Sequence, residues 1–222
     1  MSTDQDVNVT LRGEVELAER AGHLFGQARE EFICAATDLN TWVMPEVREQ
    51  ILASRWEAPP ELRVCKLYNA QALATEASER HVLAMAARGV EVRICTTRLR
   101  QETIIIDRRV AIMAGPPVQG VRTYTAVRSP DVIESMRTLY WATWESATEL
   151  AEYRRDRPPA LGEESLEILR LLGGGHKDET AARRLGLSLR TYRRRVAEIL
   201  TLLDADSRFQ AGRRAHELGL LN

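Results

Sequence analysis

The sequence predicts an α/β domain followed by a smaller all-α domain. Over residues 1–155, short runs rich in β-branched and apolar residues alternate with longer segments of helical periodicity. After residue 161 the strand-like runs stop, and four short helical patterns follow one another. Between these parts, residues 153–160 are rich in charge and hold Pro158 and Pro159, and a residue before proline tends to leave the helical conformation. We therefore expect two domains, at residues 1–155 and 156–222.

The first domain divides into elements in a regular order. Strands are expected at residues 31–37, 62–68, 90–96 and 121–127, and helices at residues 14–29, 45–56, 78–88 and 129–151. Gly89 ends the third of these helices, and Ser129 with Pro130 begins the fourth. Because strands that alternate with helices are typical of parallel pairing, we expect a mostly parallel sheet covered by helices. Residues 103–106 and 110–113, on either side of Asp107, are expected to add a hairpin.

The four C-terminal patterns have the order of a helix-turn-helix. Helices are expected at residues 163–172, 178–185, 189–203 and 207–218. Gly186 follows the second helix, where a left-handed cap favours glycine, and Ser188 is placed to cap the third. A helix, a tight turn with glycine and another helix form the arrangement in which the second helix enters the major groove of DNA. The helix after Ser188 is therefore the expected recognition helix.

A helical projection of this recognition helix separates an apolar face from a basic one. The inward face is expected to hold Tyr192, Val196, Ile199, Leu200 and Leu203. The residues expected to bind DNA are Arg184, Ser188, Arg190, Thr191, Arg193, Arg194, Arg195 and Ala197. Among them, Arg190 and Arg194 are candidates to read guanine, whereas Arg193 and Arg195 lie on the flanks and suit phosphates.

Charge agrees with this interpretation without deciding it. Six of the thirteen residues from 183 to 195 are arginine and none is acidic, which creates a local field suited to a polyanion. A solvated charged surface has the same composition, so charge alone leaves both interpretations open.

Residues 161–215 resemble the LuxR/FixJ-type helix-turn-helix without a gap. The matching positions are Glu167, Leu169, Leu172, Gly175, Glu179 or its neighbour, Ala182, Leu185, Gly186, Ser188, Thr191, Val196, Ile199, Leu203, Arg208 and Ala211. The resemblance implies that Arg193 and Arg194 contact DNA and that the last helix takes part in dimerisation. In two departures, Ser165 replaces the usual acid, and three successive arginines, 193 to 195, replace a more mixed set. The arginines suggest a distinct operator and tight non-specific binding.

The segment from Leu99 to Gly115, LRQETIIIDRRVAIMAG, resembles the strand-turn-strand of phospholipase D-like domains. In that family a His-x-Lys-x-x-x-x-Asp motif runs into the hairpin. Counting back from Asp107, Glu102 occupies the lysine position and Arg100 the histidine position, so the nucleophile is missing. The resemblance implies a degenerate, single-half phospholipase D-like domain, as in some TrmB-like and LuxR-type regulators, that senses a ligand or a partner. An unrelated α/β dimerisation domain is the alternative.

Charged residues near the degenerate motif are candidates for ligand binding. Arg98, Arg100 and Arg108, together with Asp107, are the candidate residues, because guanidinium groups hold anions by charge-assisted hydrogen bonds. Solvated surface charge is the alternative. The first domain lacks the acidic pair that a phosphorylated receiver domain needs, so phosphorylation is not the expected input.

The composition is that of a folded protein without a membrane segment. Apolar residues make up 44% and charged residues 28%, and no run of about 18 apolar residues occurs. The N-terminus is polar and acidic where a signal peptide is basic and then apolar, so we expect a cytoplasmic protein. Cys34, Cys65 and Cys95 are either small buried side chains in equivalent strands or a thiol sensor.

These features together predict a transcriptional regulator that binds double-stranded DNA as a homodimer and controls a biosynthetic or other pathway-specific gene set. We expect no catalytic residues, no metal and no cofactor. RNA polymerase and a small-molecule or protein effector are further expected partners. The alternatives are a residual phosphodiesterase and a protein-interaction adaptor that no longer binds DNA.

Overall fold

The computed structural model describes residues 8–39, 42, 59, 61–96, 99, 102–155 and 157–221. Within it the chain forms two compact units. The first consists of Met1–Ala72 and Met85–Glu149, and the second of Leu73–Ala84 and Leu150–Asn222. The helix expected at residues 45–56 and the boundary residue 156 lie outside the described residues. The expected domain boundary between residues 155 and 156 stays a prediction.

The first unit is built on an eight-stranded sheet. Its strands are β1 (Val9–Arg12), β2 (Glu31–Ala36), β3 (Arg63–Asn69), β4 (Glu91–Cys95), β5 (Glu102–Ile106), β6 (Val110–Val118), β7 (Val121–Val127) and β8 (Thr148–Glu149). They lie in the order β1-β7-β6-β5-β2-β3-β4-β8. Helix α1 (Gly13–Phe25) follows β1, and a long helix precedes β8.

The expectation of a mostly parallel sheet is wrong. Only β2, β3 and β4 pair in parallel, and the other neighbours in the sheet are antiparallel. The physical reason is the length of the connections, because two short turns join β5 to β6 and β6 to β7 and can join only antiparallel strands. Asp107 and Arg108 have positive φ angles of 47° and 58° in the first turn, as tight hairpin turns require. The hairpin expected around Asp107 is therefore confirmed.

The long helix of the first unit ends earlier than the sequence predicts. We expected it to continue to about residue 151, whereas it spans Pro130–Ser146 and is followed by β8. Ala147 turns the chain to an extended conformation, with φ −86° and ψ 149°. Two residues then pair with the edge strand β4, and Arg93 of β4 donates a hydrogen bond to Glu149 at 3.2 Å. Pairing at the sheet edge thus overrides the helical preference of this segment.

One core cluster of the first unit lies between the sheet and this long helix. Ile33, Cys65 and Ile105 of the strands pack with Tyr140 and Trp144 of the helix. The Tyr140 hydroxyl donates to the carbonyl of Cys65 at 3.0 Å, which satisfies a polar group in an apolar surrounding. A further contact is the buried bidentate pair that Arg137 of the helix makes with Glu31 of β2.

Every regular element in the described residues of the second unit is a helix. In chain order, the α-helices of the described residues are α1, α2 (Glu76–Ala86), α3 (Pro130–Ser146), α4 (Leu150–Arg155), α5 (Glu163–Gly173), α6 (Asp178–Arg184), α7 (Leu189–Leu202) and α8 (Arg208–Glu217). The last four agree with the four helices expected in the C-terminal part. Their core is a separate cluster that includes Ile168, Ala182, Tyr192, Ile199 and Ala211.

No helix in the described part of the chain combines the length and the apolar character that crossing a membrane requires.

Candidate nucleic-acid interface

Helices α6 and α7 and the turn between them form the geometry that the sequence predicts. Gly186 ends α6 with a positive φ of 67°, and the amide of Leu187 donates to the carbonyl of Ala182 at 2.9 Å. Ser188 then takes the N-cap position of α7, where its side chain accepts a hydrogen bond from the Thr191 amide at 3.1 Å. Both expectations about this turn are confirmed.

The apolar face of α7 lies inward, as the helical projection predicts. Tyr192, Val196, Ile199 and Leu203 are buried in the core of the second unit. Leu200 is only partly buried, and Leu202 is buried instead. The difference concerns one of the five residues expected to lie inward, and the other four fix the same orientation of the helix.

The opposite face of α7 is exposed and basic. Arg190, Arg193, Arg194, Ala197 and Thr201 are all exposed. Arg194 keeps 61% of its side chain accessible although it pairs with Glu198 of the next helical turn, with 2.7 Å between its nitrogen and the carboxylate oxygen. For Arg190 no ion pair occurs with any residue that the structure describes. A cationic ridge therefore protrudes from the helix, as a groove-binding helix requires.

Three other predicted DNA contacts lie at the start of α7 and in the helix before it. The hydroxyl groups of Ser188 and Thr191 lie 2.8 Å apart, so each already has a partner within the cap. Ser188 is exposed, and Thr191 is partly buried. Arg184 is exposed on α6, and its guanidinium lies 3.1 Å from the His176 ring.

Arg193 belongs to a three-residue ion cluster at one flank of α7. Asp178, the first residue of α6, accepts two hydrogen bonds from Arg208 at 2.6 and 3.0 Å and one from Arg193 at 3.2 Å. These hydrogen bonds, the one from Arg208 above all, hold the pKa of the Asp178 carboxyl below its usual value. Asp178 is therefore ionised at neutral pH and orients Arg193 beside the exposed face.

Arg195 is placed differently from its two arginine neighbours. Its side chain is mostly buried and lies between Glu198 and Glu164, at 3.2 and 3.5 Å. Its buried Nε has no hydrogen-bond partner among the described residues. The structure thus places Arg195 inside an ion network at the flank of α7, and its contact with phosphate stays a prediction.

Glu198 is the residue that the sequence interpretation missed. It lies on α7, and its carboxylate is shared by Arg194, Arg195 and Arg80. Arg80 lies on α2 and is 118 positions away in the sequence. The i, i+4 spacing of Arg194 and Glu198 is a signal that the sequence contains. No local pattern connects Arg80 with this helix.

The candidate ligand-binding residues of the first unit are only partly described. Arg98 and Arg100 lie outside the described residues. The Asp107 carboxylate accepts hydrogen bonds from the backbone amides of residues 29, 30 and 31, at 2.8 to 3.2 Å. Its oxygens thus fix the start of β2, while Arg108 is exposed in the turn. Ligand binding by these four residues stays a prediction.

The cysteines are buried in the strands. Cys34, Cys65 and Cys95 are each less than 5% exposed. Burial raises the pKa of the Cys34 thiol to about 11 and that of Cys65 to about 12, because an apolar surrounding disfavours the thiolate. Since the thiolate is the reactive form, this geometry favours the interpretation as small buried side chains over that as a thiol sensor.

Comparison with known proteins finds one curated relative over part of the chain. No model of a known protein family matches this chain. The bialaphos biosynthetic pathway regulatory protein of Streptomyces hygroscopicus is 31% identical over 133 residues. The match takes in 60% of this chain and 52% of that protein, so the chain spans about half the length of the curated relative.

The solved structures that are similar to the chain include two that are 12% identical to it. Nuc from Salmonella typhimurium, a phospholipase D family member, superposes with a TM-score of 0.50 over 64% of this chain and 98% of Nuc. TrmBL2, an archaeal chromatin protein, superposes with a TM-score of 0.48 over 68% of this chain and 57% of TrmBL2. The likeness to Nuc indicates a shared fold and agrees with the resemblance noted at residues 99–115, whereas the lower score with TrmBL2 supports no conclusion.

Proposed function

We propose that this protein is a transcriptional regulator that binds double-stranded DNA through helix α7, in a helix-turn-helix of the LuxR type. The observation that carries the proposal is the exposed row of Arg190, Arg193 and Arg194 on a capped helix whose other face is buried. Arginine on such a face can neutralise phosphates and bind guanine with two hydrogen bonds. The similarity to a biosynthetic pathway regulator supports control of a pathway-specific gene set.

The test is DNA binding by the full chain. Fragments bound by the protein are selected from genomic DNA of its source, and affinity for a selected fragment is compared with affinity for random DNA of equal length. We expect Arg194→Ala to weaken binding to the selected fragment by about 10- to 100-fold, as the loss of one base contact does, and to weaken binding to random DNA less. The affinity for the selected fragment and the affinity for random DNA should both fall steeply as the salt concentration rises, because binding releases counterions from the duplex.

A matched control for this test is Arg170→Ala. Arg170 lies on α5, is 60% exposed and forms an i, i+3 ion pair, so it resembles Arg194 in exposure and charge. We expect its replacement to change affinity for the selected fragment less than threefold, a modest effect expected for loss of one remote surface charge. If no fragment is selected above background, the chain is a protein-interaction adaptor and the proposal is wrong. If Arg170→Ala weakens binding as much as Arg194→Ala, α7 is not the reading helix.

We further propose that the chain is not an enzyme. The position that corresponds to the catalytic lysine holds Glu102, which accepts hydrogen bonds from the Thr37 amide at 2.8 Å and from Arg122 at 2.5 Å. A carboxylate paired in this way offers neither a nucleophile nor a cation for a phosphodiester. Turnover of a chromogenic phosphodiester by the full chain, abolished by Asp107→Asn in a variant that remains folded, would support a residual phosphodiesterase instead.

We also propose that the regulator works as a cytoplasmic homodimer. Two recognition helices about 34 Å apart would reach successive major grooves, as in other helix-turn-helix proteins. RNA polymerase and an effector, either a small molecule or a protein, are the further proposed partners. A mass of the DNA complex that corresponds to one protein chain per operator would contradict the dimer.

A further inference from the structure

We propose that Arg80, which lies outside the helix-turn-helix, is a positioning residue for DNA binding, because it holds the Glu198 carboxylate that otherwise competes with DNA for Arg194. This inference rests on the proposed DNA-binding function. It concerns three side chains of the second unit: Arg80 of α2, and Glu198 and Arg194 of α7. Of these three, Arg194 is a candidate to read a base.

The first step is the position of Glu198. It is 23% exposed and lies on the same helix as the basic ridge. One carboxylate oxygen accepts a hydrogen bond from Arg194 at 2.7 Å. Arg194 must leave this partner, or share it, in order to bind a phosphate or a base. A carboxylate near the exposed arginines also repels the phosphates of DNA.

The second step is the position of Arg80. Its guanidinium donates to the other Glu198 oxygen and lies 3.4 Å from Glu76 of its own helix. Arg80 thus offsets part of the charge of Glu198 and shares with Arg195 the carboxylate oxygen that Arg194 does not contact. Without Arg80, the full attraction of Glu198 falls on Arg194 and Arg195, and both become less available to a polyanion.

The third step is that other contacts fix α2 to α4, to α5 and to the segment that connects them. Glu76 accepts hydrogen bonds from the Gly162 amide at 2.7 Å and from the Ser165 hydroxyl at 2.9 Å. Glu79 accepts from Arg154 at 2.9 Å and from the Ala160 amide at 3.0 Å. Arg80 is therefore held in place while Arg194 changes partner. In the chain, α2 joins β3 to β4, so the residue that controls Glu198 belongs to a connection of the α/β sheet.

The experiment measures the affinity of six full-length proteins for the selected DNA fragment: the wild type, Arg80→Gln, Glu198→Gln, the double variant of these two, Arg80→Lys and the control Arg170→Gln. We expect Arg80→Gln to weaken binding by about threefold to tenfold, as coupled neighbours in one ion network do. Glu198→Gln should strengthen binding, because it releases Arg194. In the double variant, the replacement of Arg80 should have an effect no larger than that of Arg170→Gln, the control that removes the same charge elsewhere in the second unit.

Each outcome decides the inference. Additive effects of the two substitutions would overturn it, because Arg80 would then contact DNA directly or act only through net charge. Weaker binding by Glu198→Gln would also overturn it. Arg80→Lys keeps the positive charge, so it should bind the selected fragment more tightly than Arg80→Gln does. If Arg80→Gln loses affinity only because it unfolds, its melting temperature should be lower than that of the wild type, and Arg80→Lys should not bind more tightly than Arg80→Gln. If the wild type itself binds no DNA, the proposed function fails rather than the coupling alone.

Discussion

The Asp178 carboxylate contributes both to the fold and to the exposed basic face of α7. Asp178 is the first residue of α6 and holds Arg208 of α8 and Arg193 of α7, so it connects three of the four C-terminal helices. Its pKa is lowered, chiefly by the hydrogen bond from Arg208. A group with a lowered pKa stabilises the folded state above its usual pKa, near 3.8, and loses this contribution as the pH falls through the folded value.

We therefore expect Asp178→Asn to lower the free energy of unfolding at pH 7 by about 1–3 kcal/mol, as for hydrogen bonds to charged groups. The difference from the wild type should shrink as the pH falls below about 4, because the wild-type carboxyl is then protonated. Urea unfolding at several pH values measures this. Asp131→Asn is the control, since Asp131 also lies in the first turn of a helix and makes no ion pair with the described residues. A constant difference between pH 7 and pH 3 would contradict the prediction.

Glu79 is the most deeply buried carboxylate among the described residues, with 1% of its surface exposed. Its partners are Arg154 and the Ala160 amide. Breaking a buried ion pair leaves the remaining charge without a partner, so we expect Glu79→Ala to lower the free energy of unfolding by about 3–5 kcal/mol. Glu167→Ala removes an exposed partner of Arg170 and should cost less than about 1 kcal/mol. Chemical denaturation of both variants tests the contrast, and equal losses would be inconsistent with it.

At the scale of elements, the caps of the helices differ in a way that stability measurements can detect. Ser188 and Ser129 both occupy N-cap positions, but only the Ser188 side chain accepts a hydrogen bond there. We expect Ser188→Ala to lower the free energy of unfolding by about 1 kcal/mol and Ser129→Ala to have a much smaller effect. Because α7 carries the basic ridge, Ser188→Ala should also weaken DNA binding. Thermal unfolding measures the change in stability, and titration followed by fluorescence anisotropy measures the change in DNA affinity. If both substitutions lowered the melting temperature equally, the capping argument would be excluded.

The elements predicted well are those whose signals are local. The left-handed conformation at Gly186, the cap at Ser188 and the buried stripe of α7 depend on residues within one or two helical turns. Strand direction depends on which distant segments pair, so the expected parallel sheet was wrong. Strand β1 was not anticipated, because its four residues pair with β7 more than a hundred positions later. The helix break at Ala147 was missed for the same reason, since β4 imposes it.

At the scale of the whole molecule, the second unit uses residues that are far apart in the chain. Residues 73–84 form one compact unit with residues 150–222. Sequence patterns could not predict this grouping, because Glu79 lies 75 positions from Arg154 and 81 from Ala160. Helix α7, the proposed DNA-binding helix, therefore contacts a helix that the sequence assigns to the first domain. The exposed basic face of α7 was predicted from the sequence, and its connection to Arg80 through Glu198 was not.

This grouping predicts how a C-terminal fragment behaves. A fragment of residues 150–222 lacks Glu76 and Glu79, so Arg154 and the amides of Ala160 and Gly162 lose the acceptors that they have in the full chain. We expect hydrogen exchange of the α7 amides to be at least about tenfold faster in the fragment, since about 1.4 kcal/mol of lost stability changes the open population tenfold. Hydrogen exchange followed by mass spectrometry on a peptide from α7 measures this, with full-length Glu167→Ala as the variant that should keep the wild-type rate. Equal protection of the α7 amides in the fragment and in the full chain would mean that residues 73–84 do not stabilise α7. The C-terminal part would then be stable without them, as the domain boundary expected near residue 155 implies.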